Sequence, residues 1–453
     1  MRECSSIGID CMSYNSINTR SRDESKGAQF RVSVVGLGYV GLPLAVGFDR
    51  AGHEVRGYDI SQSTVDRLQR GVDPTKDVGD RPIQESDITF GTDPSLIDGA
   101  DFVVVTVPTP ITDENDPNLD FVEAAAETVG QHMTADTIVV LESTVFPGAT
   151  REVFAPTIEK ASGFTLGQEF SVGYSPERLV PGDDKHSLEK VVKIVSGYDD
   201  ETLAELVKLY ESIVDAGVHK AASLEVAEAA KCIENVQRDV NIALINELSV
   251  ACDRLGIDSN AVLEAAGTKW NFHDYRPGLV GGHCIPVDPF FFIYQSKKNG
   301  FDPELIETAR DVNEYMPKHV AKKTVKGLNQ AGKVLKESRV LVLGLTYKPN
   351  VEDIRTSAID GTIEHLEEYD IEVVGHDPYA RDDALRGEFE IEVASELTFE
   401  EYDAVILGAG HDEYDEIDFE ELTSELAGEP VVIDTEGAFE REARDFDVYY
   451  DRI

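Results

Sequence analysis

Cys284 stands in the run Gly281-Gly282-His283-Cys284-Ile285-Pro286-Val287-Asp288-Pro289, four residues ahead of a carboxylate. A thiol in a glycine- and proline-bound loop can serve as a nucleophile, because glycine admits a substrate carbonyl closely and proline stiffens the turn. The alternative is a buried structural cysteine, a common fate of free thiols. Upstream, Lys231, Asn235 and Arg238 fall at i, i+4 and i+7 of a helical stretch, so all three project from one face. A lysine whose pKa falls on burial can move protons or steady an alkoxide. An amide four residues on can donate to the same oxygen. The competing reading is a solvated stripe, which suits Glu228 and Glu234 but not an asparagine inside a helix. Two loops add further groups: Glu142-Ser143-Thr144-Val145-Phe146-Pro147-Gly148 and Tyr174-Ser175-Pro176-Glu177-Arg178-Leu179-Val180-Pro181-Gly182. Thr144 can hold a water and Glu177 can act as a base once partly desolvated, against ordinary turn chemistry at strand ends.

A dinucleotide fingerprint favours chemistry at the thiol. The β-branched run Val32-Ser33-Val34-Val35 leads into Gly36-Leu37-Gly38-Tyr39-Val40-Gly41 and then into a helix-like segment from Leu42. Gly36 permits the tight turn, Gly38 lets backbone approach a pyrophosphate, and Gly41 allows close helix–strand packing. The helix start offers unpaired N–H groups and a positive dipole end to phosphates. The next strand ends in Asp59, at roughly the 20-residue spacing expected of a ribose ligand. A carboxylate there accepts from a 2′-hydroxyl and repels a 2′-phosphate, which reads as NAD rather than NADP.

The elements that must hold these groups form a regular series. Strands are expected at Arg31–Val35, Glu54–Tyr58, Phe102–Val107, Thr137–Glu142 and Val191–Ser196, alternating with helices. Apolar runs such as Phe102-Val103-Val104-Val105 suit parallel strands buried on both faces. A long helix over Leu224–Arg254, free of Gly and Pro, implies a helical middle region. A second helix over Pro303–Leu328 is expected to break or kink near Pro317. Four more strands follow at Arg339–Leu345, Glu372–Asp377, Ala404–Gly408 and Val431–Asp434. The fold class is therefore α/β, with two Rossmann-like doubly wound domains joined by a central helical domain. The expected units are a disordered extension at 1–28, a dinucleotide-binding domain at 29–215, a central domain at 216–330 and a second Rossmann-like domain at 331–453. In that last domain, Tyr347-Lys348 and Arg355 just past a strand suggest contacts to an anion such as a nucleotide diphosphate, or else surface ion pairs.

Charge narrows the partners. The 453 residues carry 87 Asp+Glu against 41 Lys+Arg, a formal net charge of −46. That excludes a nucleic-acid binder or an anionic-membrane binder, whose footprint is basic. Acids spread along the whole chain read as a halophilic skin that needs salt to screen its own repulsion. Five cysteines without a CxxC pair give no zinc signature and suit a reduced cytosol. No metal is expected, no apolar run is long enough for a membrane span, and the first 28 residues lack the apolar core of a secretory signal. A cytoplasmic location follows.

Taken together the segments resemble the UDP-glucose/GDP-mannose dehydrogenase family, from about residue 30 to the C-terminus and in family order. The resemblance rests on GLGYVGLPLA from Gly36, ESTVFPG from Glu142, SPERLVPG from Ser175, EAAKCIENVQRDVNIALINE from Glu228, GGHCIPVDP from Gly281 and LTYKPNVEDIR from Leu345. GGHCIPVDP, SPER and RDVNIALINE resemble the branch acting on UDP-N-acetylhexosamines; UDP-glucose enzymes usually carry lysine where Val287 stands. The implied substrate is UDP-N-acetylmannosamine or UDP-N-acetylglucosamine, and Thr268-Lys269-Trp270 leaves the C2 epimer open. The implied reaction is a four-electron oxidation of the sugar C6 hydroxyl to a carboxylate with two NAD, through a thiohemiacetal and thioester on Cys284. By the same resemblance, Lys231 and Asn235 stabilise oxyanions, while Thr144, Asp288 and Glu177 hold and activate water. Gly36, Gly38, Tyr39, Val40, Gly41, Asp59, Thr109, Thr144 and Arg355 match cofactor positions. Glu177, Arg178, Lys231, Asn235, Arg238, Gly281, Tyr347 and Lys348 match UDP-sugar positions. The family implies a homodimer through the central helices and a product destined for surface polysaccharide or glycoprotein glycans. The alternatives are UDP-glucose as substrate, a two-electron hydroxyacid dehydrogenase of the 6-phosphogluconate type, which has no use for Cys284, and a non-enzymatic NAD-binding regulator.

Overall fold

The β-branched runs do become strands, and the residues between them decide where each strand stops. A computed structural model describes residues 29–178 and 187–453. The expected extension at 1–28, with Cys4 and Cys11, and the Leu179–Gly182 end of the Ser175–Gly182 loop lie outside the described residues.

The first sheet holds β1 (Arg31–Val35), β2 (Glu54–Tyr58), β3 (Thr89–Gly91), β4 (Phe102–Val105), β5 (Thr137–Leu141), β6 (Phe170–Tyr174), β7 (Lys193–Gly197) and β8 (Val218–Lys220). Their spatial order is β3-β2-β1-β4-β5-β6-β7-β8. Adjacent strands are parallel except β6 and β7, which pair antiparallel at Gly173↔Gly197 and Tyr174↔Ser196. Alternation along the strands feeds a core on each face. Val103, Val105, Val139 and Leu141 enter one, and Val32, Val34, Val104 and Val140 enter the other. Strand β4 ends at Val105 rather than Val107, and β5 at Leu141 rather than Glu142, because the chain leaves the ladder there to build loops at the carboxyl edge. Strand β7 starts at Lys193, two residues later than expected, and runs on to Gly197. Strands β3 and β8 escape sequence reading because three residues set no period, and β6 because Ser171 and Gly173 interrupt its apolar run.

The central helix runs from Leu224 to Leu255, capped by the Ser223 hydroxyl at its start and by left-handed Gly256 at its end. It packs along a second helix, Glu304–Gln330. The expected break at Pro317 is absent. That proline is buried at a tertiary contact: a Cβ at Gly361 would lie 3.1 Å from its ring, and its carbonyl accepts from Thr362 Oγ1 at 3.2 Å. Packing outweighs the lost helical hydrogen bond.

The second sheet is wholly parallel. It contains β9 (Arg339–Leu343), β10 (Glu372–His376), β11 (Glu392–Val393), β12 (Ala404–Leu407), β13 (Val431–Asp434) and β14 (Tyr449–Arg452). The order is β11-β10-β9-β12-β13-β14, the same winding as the first six strands of the first sheet. Strand direction of winding reverses between β1 and β4 and again between β9 and β12, and a ligand crevice opens beyond the carboxyl ends at each reversal. Among the described residues no helix is long and apolar enough to cross a membrane, and no group of three or more His, Cys, Asp or Glu could hold a metal ion.

Candidate active site

At the first crevice the glycine turn is sterically dictated. Gly36 has φ +92°, and a Cβ at Gly41 would lie 1.9 Å from the Gly36 carbonyl oxygen. Thr106 Oγ1 fastens the same carbonyl at 2.8 Å. At Gly38 a Cβ would meet nothing within 4 Å, so the turn faces open space. Asp59, at the end of β2, accepts from the Leu37 N–H and the Ser61 N–H, both at 2.8 Å. Its carboxylate is thereby fixed against the turn. Tyr39 and Val40 lead into the helix Gly41–Arg50, and Thr109 and Thr144 sit half-buried in the loops beyond β4 and β5. An open glycine turn, a helix start and a fixed carboxylate fit a dinucleotide.

The reactive cluster lies where the Leu224–Leu255 helix faces the Gly281–Pro289 loop. Lys231 and Asn235 are buried on that helix, 5% and 4% exposed, which rules out a solvated stripe. Asn235 Nδ2 donates to Asp288 Oδ2 at 2.5 Å. Lys231 Nζ lies 3.4 Å from Glu177 Oε2 and 4.0 Å from Asp288 Oδ2. Burial opposes the lysine's charge, but the carboxylates of Glu177 and Asp288 outweigh it and hold its pKa above the ordinary value. The pKa does not fall on burial, so of the two roles open to it Lys231 suits that of a cation that steadies an alkoxide. Burial drives the Asp288 carboxyl up to about 6, against the pull of Lys231 and Asn235. Cys284 opens to solvent just before the helix Asp288–Lys298, its carbonyl accepting from the Asp288 N–H at 2.8 Å. The protein crowded around it, together with Asp288, raises the thiol to about 11, only partly offset by Lys231. This shift favours the thiol over the thiolate at neutral pH. Alkylation of Cys284 by iodoacetamide should be slow at pH 8 and accelerate toward pH 11; a rate plateau near pH 7 would contradict this electrostatic picture.

Supporting contacts not foreseen in the sequence surround the cluster. Lys193 on β7 is 5% exposed; its Nζ binds Glu142 Oε2 at 2.5 Å and the Pro176 carbonyl at 2.9 Å. Glu142 is fully buried and also takes the Tyr210 hydroxyl; burial raises its carboxyl against these partners. One buried ammonium thus ties together the loops that carry Thr144 and Glu177. Glu228, expected on a solvated stripe, is instead fully buried and accepts from the N–H groups of Gly148 and Thr150. Glu234 is engaged too, holding Arg178 at 2.7 Å while that arginine also donates to the Val192 carbonyl.

The second crevice is a cavity of about 260 Å³ lined by Gly278, Gly281, Tyr347, Lys348, Gly408 and Thr435 among others. Asn246 of the long helix clasps Gly278 through both its N–H (2.9 Å) and its carbonyl (3.1 Å). Asn246 also donates to Asn313, which with Arg310 binds buried Asp239. The Gly281–Gly282 pair also has a packing role that its sequence did not suggest. Gly282 has φ +90° and would bring a Cβ within 2.8 Å of the Tyr347 ring, while its N–H donates to the Thr356 carbonyl. The glycines let the cysteine loop lie flat on the second sheet's domain. His283 donates into the same seam, to Asp353 at 3.1 Å.

The predicted residues therefore divide. Cys284, Lys231, Asn235, Asp288 and Glu177 converge. Arg238 is exposed at the rim, where its charge reaches Cys284 and Asp288. Thr144 hydrogen-bonds to none of them among the described residues. Arg355 is exposed and paired with Asp353 at 2.8 Å. Burial would push the Asp353 carboxyl up, but His283 and Arg355 hold it well below the carboxylate range. Tyr39, within the glycine turn, lies within electrostatic reach of that pair.

Comparison with known proteins agrees with this layout. Sequence models of the UDP-glucose/GDP-mannose dehydrogenase family match residues 30–214 (NAD binding domain), 225–315 (central domain) and 341–441 (UDP binding domain). The chain is 45% identical to protein CapL of Staphylococcus aureus, over 84% of this chain and 90% of that protein. It is 42% identical to the UDP-N-acetyl-D-glucosamine 6-dehydrogenase of Salmonella typhi, over 87% of this chain and 93% of the relative. The UDP-N-acetyl-D-mannosamine dehydrogenase of Pyrococcus horikoshii is 33% identical over 86% of this chain and 92% of its own length. The solved structure of that enzyme superposes with a TM-score of 0.81 at 30% identity, covering 89% of this chain and 94% of the other. The chain belongs to the UDP-glucose/GDP-mannose dehydrogenase family and is an NAD-dependent nucleotide-sugar dehydrogenase.

Proposed function

We propose that this protein oxidises the C6 hydroxyl of a UDP-N-acetylhexosamine to the carboxylate, with Cys284 carrying the sugar carbon between two hydride transfers. The carrying observation is the convergence of Cys284, Lys231, Asn235, Asp288 and Glu177 at the cleft between two ligand crevices. The Gly36–Gly41 turn and Asp59 would hold NAD, which would supply the hydride acceptor for the sugar carbon. Charged Lys231 stabilises the alkoxide that forms as the C6 hydroxyl loses its proton, with Glu177 as the nearby acceptor. The Cys284 thiol then adds to the C6 aldehyde. Asp288, with its carboxyl near 6, takes the thiol proton, and Lys231 Nζ and the second Asn235 N–H hold the new oxyanion. Removal of the second hydride, for which a second NAD at the glycine turn would be the acceptor, leaves a thioester on Cys284. Once Glu177 has passed its first proton to solvent, it deprotonates a water held by Thr144 and Asp288; attack of that water breaks the carbon–sulfur bond, Asp288 returns its proton to the departing sulfur, and the acid is released. Lys348, Tyr347 and Arg238 would receive the UDP end, and Arg355 the cofactor across the cleft.

N-acetylglucosamine is the favoured epimer, because the relative named for it is 42% identical and the one named for mannosamine 33%. NADH formation against UDP-GlcNAc, UDP-ManNAc and UDP-glucose tests this, with two NADH per acid expected. One NADH per sugar would favour the two-electron reading, and none the regulatory one. A preference for NAD should accompany it. A like-charge clash between Asp59 and a 2′-phosphate predicts kcat/KM lower for NADP by about 10²–10³-fold; equal values would remove Asp59 from the ribose site.

Dimerisation through the central region is part of the same reading, supported by Leu244, Leu248, Leu255 and Trp270, which are left largely exposed. So is a salty cytosol. With a net charge of −46, melting temperature and activity should rise together from dilute to molar KCl. A melting temperature unchanged over that range would refute the halophilic reading alone.

A further inference from the structure

About 35 Å along the long helix from Lys231, at 1.5 Å per residue, a second recess is lined by more bases than acids, against the balance of the whole chain. The last turns of the Leu224–Leu255 helix, the middle of the Glu304–Gln330 helix and β14 enclose about 460 Å³. Four Lys and Arg residues line it against two carboxylates, in a chain with twice as many acids as bases. The carboxylates are already committed. Asp253 Oδ2 binds Lys323 Nζ at 2.5 Å and His319 Nε2 at 3.2 Å, and Asp451 binds Lys323 at 2.8 Å and the Tyr449 hydroxyl at 3.2 Å. Lys323 and His319 form a buried floor, 6% and 9% exposed. Above it, Arg254, Lys322 and Lys326 are exposed and belong to no ion pair with any described residue. Lys322 instead lies over the Tyr315 ring, 4.8 Å from its centre, and donates to its hydroxyl at 3.1 Å. Lys318, Lys322 and Lys326 repeat at i, i+4 and i+8, a like-charge series that costs helix stability.

We propose that this recess binds a small phosphate-rich anion, a di- or triphosphate unit either free or carried by a nucleotide, at a site separate from the catalytic cleft. Its volume falls in the range of small-molecule sites. Arg254 supplies a planar fork, and Lys322 and Lys326 supply point charges from a second helix. A cationic recess in an anionic surface focuses field on its contents. The Tyr315 ring offers a face for a base where one is attached. Occupancy joins the two long helices and therefore raises the melting temperature by mass action.

Calorimetric titration of the full-length protein with inorganic tripolyphosphate and with UTP, at one fixed KCl concentration, tests the assignment. Lys322→Gln/Lys326→Gln should weaken tripolyphosphate binding at this site at least tenfold and abolish its contribution to the melting temperature. Its kcat and KM without the probe should match wild type. UTP binding more tightly than tripolyphosphate, with Tyr315→Leu erasing the difference, assigns the nucleotide as the source; equal affinities assign the free polyphosphate. Equal binding by wild type and the double variant overturns the proposal, as does no binding at all. A change in sedimentation of Lys322→Glu/Lys326→Glu without any probe effect also overturns it, and makes the recess a contact between copies of the chain.

Discussion

Replacing Cys284 by serine is expected to leave the first hydride transfer measurable and to cut acid formation by roughly 10³-fold or more. Serine matches the thiol in size, and Cys284 sits at an open turn rather than in a core, so the fold should survive. What changes is the leaving group: an alkoxide departs from an acyl carbon far less readily than a thiolate. Sugar should accumulate at the aldehyde level or as an ester on residue 284, visible as a mass increment on the intact protein. NADH per acid at the wild-type rate would mean that the carbon never passes through sulfur.

Lys193→Met is expected to damage both stability and rate. It strands the Glu142 carboxylate, fully buried, without its cation, at a cost of about 3–5 kcal/mol. It also releases the Pro176 carbonyl, one residue from Glu177. The double variant Lys193→Met/Glu142→Leu separates the two effects. Removing both charges should restore most of the melting temperature, whereas kcat should stay down roughly 10–100-fold because the Glu177 loop has lost its anchor. Recovery of both quantities in the double variant would reduce the pair to a space-filling role.

Lys193 also marks where sequence reading stops. The glycine turn and Asp59 were legible because their chemistry is local: a period change, a φ requirement and a fixed spacing lie within one βαβ unit. Cys284 was legible because a Gly/Pro loop around a thiol is unusual. Lys193, between Val192 and Ile194 at the start of a strand, gives no local sign of its partner 51 residues earlier. Glu228 misled for the same reason, since its helical position suits solvent equally well and only the arrival of Gly148 and Thr150 buries it. The same limit applied at Pro317, whose local cost predicted a break that neighbouring residues cancel. Lys231 was found by its spacing, yet the direction of its pKa depended on Glu177 and Asp288, which come from two other segments.

The unbroken Leu224–Leu255 helix has a consequence in angle. Lys231 and Asn235 face the thiol, and Asn246, three turns on, clasps Gly278 at the wall of the other crevice. Deleting one residue between them would rotate everything beyond by about 100°, turning Asn246 away from Gly278 while Lys231 stayed in place. Inserting seven residues would restore the phase to within about 20° but displace the far end by about 10 Å. The helix is thus a keyed shaft, and a change of length by a single residue in this stretch breaks the second crevice's wall while leaving the Lys231–Asn235 face intact.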